Sequence, residues 1–169
     1  MSSRKHYQYY VEGQCEKKLI DELKKHQLVI PGNVNVKNVT QEFLGPGHLR
    51  LLPPDTVVIL LFDTDAGNPS ILQKNMITLN KYRNVISVWC VCQVENLEAE
   101  LVRATTVREV KDLLGCQSNK DFKSSFISER YLLEKLNHHG FRLEALWSTS
   151  PGGTFSGIIN DGWRIKKSK

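Results

Sequence analysis

Thr56-Val-Val-Ile-Leu-Leu-Phe62 is β-branched or aliphatic almost throughout and runs straight into Asp63-Thr64-Asp65-Ala66-Gly67. Such a run reads as a strand buried on both faces, as in a parallel sheet. A strand covered front and back needs helices on both sides, so the surrounding chain should alternate strand and helix. Upstream, His6 to Glu12 alternates, with Tyr7, Tyr9 and Val11 on one side, and reads as a strand broken by Gly13. Cys15, Leu19, Ile20 and Leu23 then recur at helical spacing among charged residues, and Pro31-Gly32 closes that unit. Val34, Val36 and Val39 suggest a further strand, and the stretch from Gln41 to Pro54 reads as a loop with a short helix around His48 to Leu51. Downstream, Pro69 opens a helix reaching Tyr82, and Asn84 to Val94 forms another strand. Leu97 to Ala104 and Val107 to Leu114 look helical, as does Ser128 to His138 with Ser128 as N-cap.

The pattern predicts an α/β fold: a mostly parallel central sheet of about four strands flanked by helices, with right-handed crossovers and a helical C-terminal extension. Residues 1–104 would form the core, 105–147 a helical extension of the same domain, and 148–169 a Gly/Ser-rich then basic tail. The 169 residues suit one domain, and 40% hydrophobic against 24% charged residues is globular composition. The net charge of +5 is compatible with phosphate partners without requiring them. None of the four cysteines forms a C-x-x-C, which argues against a zinc ribbon; Cys90 and Cys92 read as buried thiols on one strand face. The polar, basic start of the chain is unlike a signal peptide, and Val57 to Phe62 is far too short to span a bilayer. A reducing cytoplasmic location, with no membrane partner, is the expectation.

Ligands of such sheets sit beyond the carboxyl ends of the strands, where Glu12 and the Asp63/Asp65 pair fall. Glu16 follows Glu12 by one helical turn and can share its site. If strand geometry persists, Asp63 and Asp65 point to one side, and two carboxylates held that close repel unless a cation sits between them. Mg²⁺ suits such a set, being a hard ion held by carboxylates, water and phosphate. The bland alternatives are a solvated acid at a helix start for Glu12 and a turn for Asp63 to Gly67.

Together, Tyr10-Val11-Glu12-Gly13 and Leu61-Phe62-Asp63-Thr64-Asp65-Ala66-Gly67 resemble the Toprim family, in which a first strand ends in E-G and a later one in D-x-D. The extended form Glu12-Gly13-x-x-Glu16 looks most like the OLD-type (overcoming lysogenisation defect) nucleases and their small stand-alone relatives. In that branch a further acid follows the last core strand, and Asn96-Leu97-Glu98 stands in that place here. The resemblance covers residues 5 to about 104. It implies a nuclease that cleaves DNA or RNA with one or two Mg²⁺ or Mn²⁺ ions. Glu12, Glu16, Asp63, Asp65 and Glu98 would be metal ligands, with Glu12, Asp63 and Asp65 also catalytic. It further implies antiphage defence beside an ATPase partner. Topoisomerases, primases and recombination mediators of the family need a further tyrosine-bearing domain or cysteine motifs not found here.

Such nucleases often add a basic residue. Lys120, Lys123 and Arg103 are candidates for contacting nucleic-acid phosphates, Lys123 with a catalytic role; a surface cation is the alternative for each. Glu100 reads as a solvated helical acid. Ser150-Pro-Gly-Gly-Thr154 lacks the setting of a phosphate loop and reads as a surface turn. His138-His139 fits a helix end better than a metal site. The tail cations Arg164, Lys166, Lys167 and Lys169 read equally as phosphate contacts or as a disordered solubilising end. Two other functions compete: a non-catalytic, metal-stabilised adaptor for nucleic acid or protein, and a flavodoxin-like domain, which would leave Glu12-Gly13-x-x-Glu16 without a role. A homo-oligomer is as compatible with the sequence as a monomer.

Overall fold

The computed structural model describes residues 4–167. Four strands, β1 (His6–Val11), β2 (Asn33–Val36), β3 (Thr56–Asp63) and β4 (Val85–Gln93), form one all-parallel sheet in the order β2-β1-β3-β4. The α/β class and the four strands follow the expectation from sequence. β3 is central and buried from Thr56 through Phe62, which is why it carries no polar face. Its odd residues Val57, Ile59 and Leu61 join Tyr9, Val11 and Val91 in one core. Its even residues Val58, Leu60 and Phe62 join Tyr10, Cys90 and Cys92 in the other.

Helix α1 (Gln14–Lys25) links β1 to β2 and buries Leu19, Ile20 and Leu23 in the first core. After the short α2 (Pro46–Leu49), helix α3 (Pro69–Lys81) links β3 to β4 and buries Leu72 and Leu79 in the second. The two crossovers therefore cover opposite faces. Chain direction across the sheet reverses between β1 and β3, leaving a crevice beyond their carboxyl ends, the place where open α/β sheets receive ligands.

The first face is completed by α4 (Leu97–Arg103), α5 (Asn119–Ser128) and α6 (Leu132–His138). Two expectations change here. Val107 to Leu114 forms only a short 3₁₀ turn, Val110–Leu113, which still buries Val110 and Leu113. Ser128 is the last residue of α5, its hydroxyl donating back to the Ser124 and Ser125 carbonyls, and is not the N-cap of α6. α5 itself, capped by Ser118 and anchored by buried Phe122 and Phe126, was not foreseen.

The C-terminal segment is docked, contrary to a disordered end. Phe155, in the turn after Ser150-Pro-Gly-Gly-Thr154, is buried and stacks on Phe62. Asn160 and Asp161 cover the outer edge of β4 near its end: Cys90 N–H donates to Asp161 Oδ2 at 3.0 Å, and Cys92 N–H to Asn160 Oδ1 at 3.1 Å. The short α7 (Gly162–Ile165) buries Ile165, and Lys167 N–H donates to the Leu28 carbonyl. Lys169 lies outside the described residues. Cys90 and Cys92 are free and buried, and burial pushes the Cys92 thiol up to about 12. Among the described residues no helix is long and apolar enough to cross a membrane.

Candidate metal centre

Val11 pairs with Leu61, so β1 stops just short of the level where β3 delivers Asp63. Glu12 closes this gap: its Oε2 accepts the Asp63 N–H at 2.9 Å and ties the two strand ends together. Gly13 follows in an extended conformation, so its value is not a special turn. A Cβ there would stand 3.1 Å from Glu16 Oε2, and glycine leaves that carboxylate room. Glu16, in the first turn of α1, is buried and points back toward the crevice.

The strand ends at Asp63, so alternation does not carry on to Asp65. Asp63 is half-buried and accepts a short hydrogen bond from Gln93 Nε2. Asp65 is exposed; its N–H donates to the Glu95 carbonyl and its Oδ2 accepts from Asn96 Nδ2 at 2.9 Å. Asn96 also caps α4, accepting from the Ala99 N–H. Gly67 takes a left-handed φ of +88° and lies so close to Thr40 that a side chain would collide with it. Glu98, in the first turn of α4, faces Lys123 Nζ of α5 at 3.6 Å.

Glu12, Glu16 and Asp63 thus meet at the crevice, with Asp65 and Glu98 on its outer side. Burial, with the charges of Glu12 and Glu16 next, pushes the Asp63 carboxyl up to about 8. Burial also raises Glu12, with Glu16 and Asp65 adding to it and the Asp63 N–H and Lys123 opposing it. Glu98 raises Lys123. The donors are all carboxylate oxygens, the chemistry preferred by Mg²⁺ and Mn²⁺. As the side chains stand, no three Asp, Glu, His or Cys groups among the described residues converge closely enough to enclose an ion. The acids approach one another through shared donors, the Asp63 N–H and the Gln93 amide.

The basic candidates separate. Lys123 stands at the rim with its side chain 70% exposed. Lys120 is exposed one turn earlier on α5. Arg103 is committed elsewhere: its Nη2 bonds Glu100 Oε1 at 2.9 Å. Glu100 is fully buried, against the solvated reading, and also accepts the N–H groups of Val94 and Trp147. His138 and His139 sit at the end of α6, their rings edge to face.

Two residues that sequence reading passed over belong to the site. Gln93 is fully buried at the end of β4, in register with Asp63. Trp147, also buried, donates its indole N–H to Gln93 Oε1 at 3.3 Å. The only signal for Gln93 was an amide closing an apolar strand beside an acid-bearing neighbour. Nothing marked Trp147, whose partner lies far away in sequence. No family model, curated protein or solved structure matches the chain.

Proposed function

We propose that the chain is a Mg²⁺- or Mn²⁺-dependent nuclease of the Toprim kind, nearest the OLD-type branch, acting on DNA or RNA with an ATPase partner that gates it. The observation that carries this reading is the meeting of Glu12, Glu16 and Asp63 at the switch-point crevice, with Asp63 raised to about 8 among like charges. Carboxylates crowded without a cation among them are arranged for a ligand that brings positive charge.

One or two divalent ions held there would polarise a phosphodiester and a water. Glu12, Glu16 and Asp63 supply inner oxygen donors, and Asp65 and Glu98 supply donors on the solvent side. The Asp63 N–H fixes Glu12, and Asn96 fixes Asp65, so the donors are oriented by the fold. Lys123 and Lys120, three residues apart on α5, present two cations at the rim for non-bridging phosphate oxygens. Arg103, bonded to Glu100, is dropped from that set.

The test is cleavage of supercoiled plasmid and total tRNA with Mn²⁺, comparing wild type with Asp63→Ala. Outer-shell partners typically cost about 10–100-fold, so removing a ligand should cost more than about a hundredfold. The pool that is cut identifies the substrate. The adaptor reading draws on the 3.6 Å approach of Lys123 to Glu98, which occupies the cation a catalytic role would need. Nucleic-acid binding that survives Asp63→Ala and chelation, without cleavage alone or with an ATPase, would replace the nuclease by the adaptor.

A further inference from the structure

Gln93 is an amide with three polar neighbours and no exposure to water. Its Nε2 donates to Asp63 Oδ1 and, at 3.3 Å, to Glu16 Oε1. It thereby spans two carboxylates from different elements, one ending β3 and one opening α1. Its Oε1 accepts the Trp147 indole N–H. An indole can only donate, so it dictates which way the amide faces. Flipped, the amide would set its N–H₂ against the indole N–H and withdraw its donor from both carboxyl groups. The Gln93 backbone serves the same site, its carbonyl accepting from Thr64 N–H at 3.0 Å and from Thr64 Oγ at 3.1 Å.

Trp147 is itself fixed. Its ring is buried, its backbone N–H donates to Glu100 Oε2 at 2.9 Å, and Asn160 Nδ2 donates to its carbonyl. The residue therefore connects the C-terminal segment and the buried Glu100 to the acidic crevice through one side chain. We infer that Gln93, oriented by the Trp147 indole, is the positioning residue that sets the spacing of the Asp63 and Glu16 carboxylates for a divalent cation. This rests on the metal-centre reading above and deepens it: Trp147 acts on the site only through Gln93.

Two substitutions separate the roles. Gln93→Met removes the amide while keeping an unbranched side chain of similar length. Trp147→Phe keeps an aromatic ring and removes the indole N–H. Mn²⁺ binding is read from the electron paramagnetic resonance signal of the free ion, independent of cleavage, on full-length proteins shown by thermal unfolding to be folded. Gln93→Met should raise the Mn²⁺ Kd about 10–100-fold and Trp147→Phe about tenfold, the range for outer-shell partners. The double variant should bind no more weakly than Gln93→Met alone, because the indole has no other route to the ions. Wild-type binding that is lost in Asp63→Ala but unchanged within about twofold in folded Gln93→Met would overturn the positioning role and leave the metal centre standing. Additive effects in the double variant would overturn the claim that Trp147 works through Gln93. If wild type binds no Mn²⁺, the metal centre falls and this inference with it.

Discussion

Two groups of acids, the buried Glu100 and the partly buried set in the crevice, are treated in opposite ways. Glu100 is wholly buried and fully served: Arg103, the Val94 N–H and the Trp147 N–H all converge on it at 2.9 Å. Its charge is matched, and it pins α4, the end of β4 and the C-terminal segment together. In the crevice, Glu12, Glu16 and Asp63 share one backbone N–H and one amide, and the nearest cation is a rim lysine already facing Glu98. A buried acid with its partners present holds structure together; partly buried acids crowded together with few partners are the arrangement on which the proposed metal centre rests.

The sharpest way to break the comparison is at Glu100. Glu100→Ala strands the Arg103 guanidinium and two backbone N–H groups, and should cost about 3–5 kcal/mol of stability. Urea unfolding checks it; a loss below about 1 kcal/mol would mean that the matched charge contributes little. Asp63→Asn should do the reverse. Because the native carboxyl is raised to about 8, the folded state binds a proton that the unfolded state has released above about 4. The contribution of Asp63 is therefore favourable at low pH and is lost as pH rises from about 4 through 8. At pH 8 without metal, Asp63→Asn should be more stable than wild type by about 1–3 kcal/mol, and the gain should vanish near pH 4. Thermal melts of chelator-treated proteins at the two pH values measure this; equal melting points at pH 8 would contradict it. The smallest effect belongs to the rim. Lys123→Ala should change stability by less than about 1 kcal/mol, since the exposed pair with Glu98 is worth little, while slowing cleavage about tenfold or more. Unchanged cleavage would move the lysine out of the site.

The inner frame was legible because β3 leaves no ambiguity: seven residues without a polar face can only be sandwiched between helices, and the flanking periodicities supplied those helices. Glu12, Glu16 and Asp63 could be read from strand ends and one helical turn, because local geometry alone carries them to the same edge. Asp65 was misdirected because alternation stops where the strand stops. The segment 107–128 was harder. Val107, Val110 and Leu113 are spaced by three, which suits a 3₁₀ turn as well as an α-helix. α5 buries only Phe122 and Phe126, its third apolar residue, Ile127, being exposed, and its helicity depends on packing those two rings against α1. Gln93 could not be assigned a role, because that role is set by Trp147, 54 residues on. Glu100 was misread for the same reason: the partners that make it structural, apart from Arg103, lie outside its helix.

The docking of Asn160 and Asp161 along β4 also governs how copies of the molecule could join. The opposite margin of the sheet, β2, is short and mostly exposed. β2 is therefore the more open margin for strand addition. A strand added along the end of β4 would have to displace Asn160 and Asp161 from Cys90 and Cys92, whereas one added along β2 would not.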